Sequence, residues 1–154
     1  MATRRLHGYS LVELLIVIVI AGLLSTLAVL QFSGNSDQAR AERSLDQLAA
    51  SIQLLCDQAL LTGQVRGLRL TRNGYDFWSI TDGQWRTLRP DQQPLARAWP
   101  DSFRSEIQIN QRLISATEPS GPQLWCDALE PMMPFQITLQ SGQQQWVRVW
   151  SGMQ

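Results

Sequence analysis

The sequence predicts an α+β fold, a long N-terminal helix packed on a C-terminal antiparallel β-sandwich-like domain. Three observations carry this. An apolar run extends from Leu11 to Phe32, a second stretch repeats its apolar residues at helical spacing from Ala41 to Ala59, and from Val65 onward the pattern alternates every second residue between turn signals.

The apolar run is interrupted only by Glu13, Gly22, Ser25, Thr26 and Gln31. A helix over it would reach about 30 Å, enough to cross a bilayer. Arg4 and Arg5 precede it and the next basic residue is Arg40, so the positive-inside rule orients its N-terminal side toward the cytoplasm, with the rest of the chain across the membrane. Glu13 is the anomaly in this run. A charge at the centre of a membrane helix costs roughly 2.5–3.5 kcal/mol on insertion scales, less near an end, so it marks a functional contact and needs a partner. A secretory signal peptide cleaved near Thr26-Leu27-Ala28, or a plain single-helix anchor, would leave Glu13 unexplained.

The cluster Ser33-Gly34-Asn35-Ser36-Asp37 can end, bend or restart a helix. Ala41, Leu45, Leu48, Ile52, Leu55 and Ala59 then recur at spacings of four and three, and Arg40, Glu42, Arg43, Asp46, Gln47, Gln53 and Asp57 fill the other faces. This amphipathic helix is expected to end near Thr62-Gly63. The stripe spans fewer than three heptads, which favours packing on the chain's own domain over a coiled-coil seam.

Strands are expected at Val65–Thr71 and Tyr75–Thr81 around the turn pair Asn73-Gly74, with Asp82-Gly83 leading into Gln84–Leu88. Asp82 is read as a turn residue rather than a calcium ligand. Phe103, Ser105, Ile107 and Ile109 form one face of a further strand. Met133, Phe135, Ile137 and Leu139 form one face of another, with Pro134 at its start or edge, and Ser141-Gly142 turns into a last strand, Gln144–Trp150. Arg89–Pro94 and Ser115–Pro122 read as surface loops. All six tryptophans lie in this region and most are expected in the core. Trp146, Arg148 and Trp150 share one face of the last strand, either packed on the sheet or exposed as a protein-contact patch. Arg66, Arg69 and Arg72 do not form a single stripe, because alternation puts Arg69 on the opposite face from the other two, so nucleic acid is not an expected partner.

Composition narrows the chemistry. The 154 residues suit one modest domain plus an anchor, and 13 basic residues balance 13 acidic ones. Every basic residue is arginine, and the only histidine is His7. A mature chain without histidine or lysine cannot build a Ser-His-Asp or Cys-His nucleophile, a Schiff base or a histidine-containing zinc site, and no spacing singles out a pair of acids. No enzyme activity, metal or cofactor is expected. Cys56 and Cys126 are the only cysteines, and the expected topology puts both in an oxidising compartment. They either bridge, closing a loop of about 70 residues, or sit as small buried apolar residues. Both readings remain open at this level.

Gly8-Tyr9-Ser10-Leu11-Val12-Glu13 followed by an unbroken aliphatic stretch resembles the class III leader of type IV pilins and type II secretion pseudopilins. The resemblance implies cleavage after Gly8 by a prepilin peptidase and methylation of the new N-terminal amine on Tyr9, where the family usually has phenylalanine. It also implies that Glu13 pairs with the N-terminal amine of a neighbouring subunit, which is physically sensible because opposite charges in a low-dielectric medium offset each other's desolvation. The resulting boundaries are a leader at 1–8, a transmembrane helix half at 9–32, an amphipathic half at 33–63 and a periplasmic β domain at 64–154. Leu60-Leu61-Thr62-Gly63, Gly67-Leu68-Arg69-Leu70, Gly74-Tyr75-Asp76-Phe77 and Met133-Pro134-Phe135-Gln136-Ile137-Thr138-Leu139 resemble in order the minor pseudopilin H of type II secretion. That resemblance implies a single-pass inner-membrane protein in the pseudopilus that helps export folded proteins. The partners it implies are major and minor pseudopilins, the prepilin peptidase and the inner-membrane assembly platform. The alternative is a minor type IV pilin of pilus assembly or DNA uptake, and a third reading is an anchored periplasmic binding domain.

Overall fold

The computed structural model describes residues 11–115, 120–130 and 132–152, with the side chains of 24–35 excepted. Gly8 and Tyr9 lie outside these residues. The chain falls into two compact units that divide between Asp37 and Gln38, and helix α1 (Leu11–Thr62) contributes to both. The turn-prone cluster at 33–37 does not end it: a glycine inside a helix costs only about 1 kcal/mol against alanine, which good helix formers on both sides offset.

In the first unit, the large apolar side chains from Leu11 to Leu23 are all exposed, from 50% at Ile16 and Ile20 to 83% at Leu11. Among the described residues no helix is long and apolar enough to cross a membrane. The rest of the expected span, 24–32, falls on side chains outside the described set.

In the second unit α1 is amphipathic as its spacing requires. Ala41, Leu45, Leu48, Ile52, Leu55 and Ala59 are all buried. Its other face is polar and carries one-turn pairs in which Gln38 donates to Glu42 at 3.0 Å and Gln53 to Asp57 at 2.9 Å. Gly63 follows the last helical residue at φ +63°, the left-handed conformation that closes a helix and that glycine adopts without steric cost.

Two antiparallel sheets follow. The first contains β1 (Arg66–Thr71), β2 (Gly74–Thr81), β3 (Gln84–Thr87), β4 (Arg97–Ala98) and β7 (Leu124–Cys126). Its order is β3-β2-β1-β7, with β4 pairing with the start of β2. The second contains β5 (Arg104–Ile109), β6 (Arg112–Ile114), β8 (Phe135–Ser141) and β9 (Gln144–Trp150), in the order β6-β5-β8-β9. Leu68, Leu70, Phe77 and Leu124 from one sheet, and Ile107, Phe135, Ile137 and Leu139 from the other, join the helical stripe in one buried cluster. Burial of this many large side chains is the main stabilising term for the unit. Ser105 ties the sheets together. Its hydroxyl accepts from the Trp99 indole at 2.8 Å and donates to the Thr71 carbonyl at 2.7 Å, while its amide donates to the Arg72 carbonyl at 3.1 Å.

Several expectations are corrected. The β1–β2 turn sits on Arg72-Asn73, because Thr71 pairs with Gly74, so Gly74 is a strand residue. Its lack of a side chain serves close approach: a Cβ there would lie 2.4 Å from the Arg97 carbonyl oxygen of β4. The last hairpin turns on Gly142-Gln143, with Ser141 paired to Gln144. Asp82-Gly83 does form a two-residue turn, both residues having positive φ. Met133 is 37% exposed rather than inward-facing. Of the tryptophans only Trp99 and Trp150 are buried; Trp78, Trp85 and Trp146 are half-buried and Trp125 is exposed. An indole is too large for a small two-sheet core to enclose more than a few.

Candidate functional site

Two regions hold the residues that the sequence singled out. The first is the start of α1. Glu13 stands in its first turn, exposed, among Leu11, Val12, Leu14, Leu15, Ile16, Val17, Ile18, Val19 and Ile20, all exposed. A carboxylate there is favoured by the positive end of the helix dipole. It is also the one ionisable side chain in a surface band far more apolar than a solvated helix tolerates. Such a band has to be covered by lipid or by other helices. Gly8 and Tyr9, the expected cleavage and methylation positions, lie outside the described residues.

The second is the joint between α1 and the edge of the first sheet. Cys56, one turn before the end of the buried helical stripe, is disulfide-bonded to Cys126 at the end of β7, with their Cα atoms 5.1 Å apart. The bond fastens the three-residue β7 to the helix. Next to it Gln123 extends the edge: its amide nitrogen donates to the Leu70 carbonyl and its amide oxygen accepts from the Leu70 N–H, both at 2.8 Å. The side chain thereby substitutes for a further strand residue where β7 is too short to reach. Nothing in the sequence pattern announces this, since a glutamine between Pro122 and Leu124 reads only as loop.

Arg148 and Trp146, candidates for a contact patch, face inward. Arg148 pairs with Asp46 of α1 at 2.6 Å, and Trp146 and Trp150 pack on Phe103 and Phe135 with ring centroids 5.4 and 4.7 Å apart. The exposed face of β9 carries Val147 and Val149 instead. Arg69, on the outer face of the first sheet, forms a salt bridge with Asp76, which also accepts from the Trp78 indole at 2.7 Å, and the guanidinium lies 4.8 Å from the Trp78 ring centre. The hydrogen bond with Asp76 raises the Arg69 pKa above its already high value. Among the described residues no group of three or more histidine, cysteine or acidic side chains is placed to hold a metal.

The family model described as the prokaryotic N-terminal methylation motif matches residues 3–29, a span that contains Gly8, Tyr9 and Glu13. Type II secretion system protein H of Pseudomonas aeruginosa is 35% identical over 101 residues, covering 66% of this chain and 54% of that protein. The protein of the same name from Aeromonas hydrophila is 31% identical over 115 residues, covering 71% and 61%. The chain thus spans between about half and three-fifths of the length of these two curated relatives. The solved structure of the minor pseudopilin EpsH from the type 2 secretion system of Vibrio cholerae superimposes with a TM-score of 0.59 at 17% identity, covering 73% of this chain and 96% of that one. The expected α+β fold is therefore the observed one. The chain thus carries the methylation motif at its start, is similar in sequence over part of its length to proteins named type II secretion system protein H, and has in its domain the fold of that solved structure.

Proposed function

We propose that the protein is a minor pseudopilin, a structural rather than catalytic subunit of the type II secretion pseudopilus that helps export folded proteins across the outer membrane. In this reading it is anchored in the cell envelope by its N-terminal helix as a single-pass inner-membrane protein, with residues 9–32 as the span, its N-terminus in the cytoplasm and its β domain in the periplasm. The prepilin peptidase cuts after Gly8 and the amine of Tyr9 is methylated. The mature chain then meets major and minor pseudopilins through its apolar helix and is drawn into the filament from the inner-membrane assembly platform. The observation that carries the reading is Glu13, an exposed carboxylate in the first turn of an exposed apolar helix half. A group with that surround has a role only if something of opposite charge meets it there, and the terminal amine of a neighbouring subunit does so. The similarity to two proteins named type II secretion system protein H supports secretion over the type IV pilus alternative.

Complementing a strain that lacks the gene with wild type or Glu13→Ala tests it. The wild type is expected to restore secreted protein in the culture medium. Glu13→Ala is expected to leave the protein in the membrane fraction yet abolish secretion. Mass spectrometry of the purified mature chain is expected to show a methylated Tyr9 terminus. A terminus beyond Ala28, or full secretion with alanine at position 13, overturns the proposal.

A further inference from the structure

The outermost strand of a sheet carries backbone groups that nothing inside the sheet satisfies, and it attracts other strands unless it is short, charged, bulged or covered. Three of the four edges of this domain are managed in that way. β3, β4 and β6 are four, two and three residues long, and β7, of three residues, is fastened to α1 by the disulfide. β9 is the exception. It runs for seven residues, Gln144–Trp150, contains neither proline nor glycine, and pairs with β8 in an uninterrupted register. Its two-residue connection makes Ser141 and Gln144 a pair that exchanges both backbone hydrogen bonds, and alternation then turns the N–H and C=O groups of Trp146, Arg148 and Trp150 toward β8. Those of Gln145, Val147 and Val149 point to the open edge. Among the described residues no hydrogen bond engages them. The same three residues carry the outer-face side chains, an uncharged row in which Val147 is 54% and Val149 65% exposed. Arg148, the one charge in the strand, does not guard the edge, because it turns to the inner side and pairs with Asp46.

We propose that the β9 edge is a docking site for an extended segment of another protein, which adds to the second sheet as a fifth strand. Hydrogen-bond complementarity selects the occupant. Donor and acceptor groups at every second residue are matched in full by another extended backbone, the pairing that strand addition uses. In the antiparallel arrangement that this sheet has throughout, residues opposite Val147 and Val149 place their side chains on the outer face, so β-branched apolar residues at alternate positions of the segment fit there. A second copy of β9 fits less well. Pairing about Val147 would set each Val149 against a Gln145, leaving one apolar pair in place of two. The proposal goes beyond the secretion reading and rests on the second sheet alone, so the failure of either leaves the other standing.

Fluorescence anisotropy with the full chain in detergent micelles tests it, with empty micelles as the blank. The probe is a fluorescein-labelled peptide of alternating valine and threonine, N-methylated on the threonines so that only the valine-bearing edge can hydrogen-bond. Its counterpart has the same sequence N-methylated at every residue, which removes all backbone donors while adding apolar surface. The first is expected to bind and the second not to, and the amides of Val147 and Val149 are expected to gain protection from hydrogen exchange when the first is bound. Val147→Pro deletes an edge-facing N–H without touching the β8 ladder, a placement that edge strands tolerate. It is expected to weaken binding at least about 10-fold with an unchanged circular dichroism spectrum. Should that variant not fold, Val147→Lys, which sets a charge on the edge, is expected to give the same loss. Leu113→Lys, on the opposite edge strand β6, is expected to leave binding unaltered. Absence of binding at about 1 mM probe, equal binding of the two peptides, or wild-type affinity in the folded position-147 variants overturns the proposal. So does a dimer of the chain that Val147→Pro dissociates while the probe fails to bind, which would assign the edge to a second copy.

Discussion

At the scale of single residues, two positions have a cost or benefit that can be read from geometry. Gly74 has no room for a Cβ, since the nearest atoms belong to the backbone of β4 and cannot rotate away. Gly74→Ala is expected to lower stability by about 1–3 kcal/mol, the usual range for overpacking, seen as a lower urea midpoint at unchanged slope. Tyr75 is the second. Burial raises its pKa above the ordinary 10.0, an effect that the nearby Ser51 hydroxyl and the charge of Arg97 partly counter. The folded state therefore holds the phenol proton more tightly than the unfolded one. Stability is then complete below pH 10.0 and falls as the pH rises past it, because the unfolded chain ionises first. Thermal melts between about pH 9 and 11 are expected to show this fall, and Tyr75→Phe is expected to flatten it. Neither residue was identifiable from sequence: Gly74 looked like half of a turn pair, and Tyr75 like one aromatic of an alternating strand.

At the scale of elements, α1 and the longer hairpins were legible because each buries one face, and a buried face leaves a period in the sequence. Helical spacing from Ala41 to Ala59 and alternation through Phe135–Leu139 are such records. β4, β6 and β7, of two, three and three residues, were not legible, since no period can be counted over so short a run. β7 exists because of what holds it. Opening the Cys56–Cys126 bond, by Cys56→Ser with Cys126→Ser, is expected to cost about 4 kcal/mol from the freed 70-residue loop. Denaturant titration measures that loss, and amide exchange is expected to rise first at Leu124–Cys126. By contrast the Asp46–Arg148 pair joining α1 to β9 is solvent-exposed on its acidic side. Pairs of this kind contribute little in water, so Asp46→Ala is expected to change stability by no more than about 1 kcal/mol in the same titration.

At the scale of the whole molecule, the two units answer to different surroundings. The domain from Gln38 onward encloses its own apolar cluster, whereas Leu11–Leu23 encloses nothing and presents its side chains outward. An apolar band of that kind specifies an environment rather than a fold, which is why Glu13 within it carries the functional reading. The sequence by itself determined the apolar helix with its single carboxylate, the amphipathic stripe, the β class of the domain and the absence of lysine. Each of these is a property of residue identity and spacing along the chain. Only the tertiary structure decided that Cys56 bonds Cys126, that Gln123 completes a sheet edge, that Arg148 turns inward while Val147 and Val149 face out, and that Trp78 is fixed by Asp76 and Arg69. Those outcomes depend on which surfaces meet across more than 50 residues of intervening chain in the longest cases. Contacts at such separation are settled by packing in three dimensions and leave no local period to read.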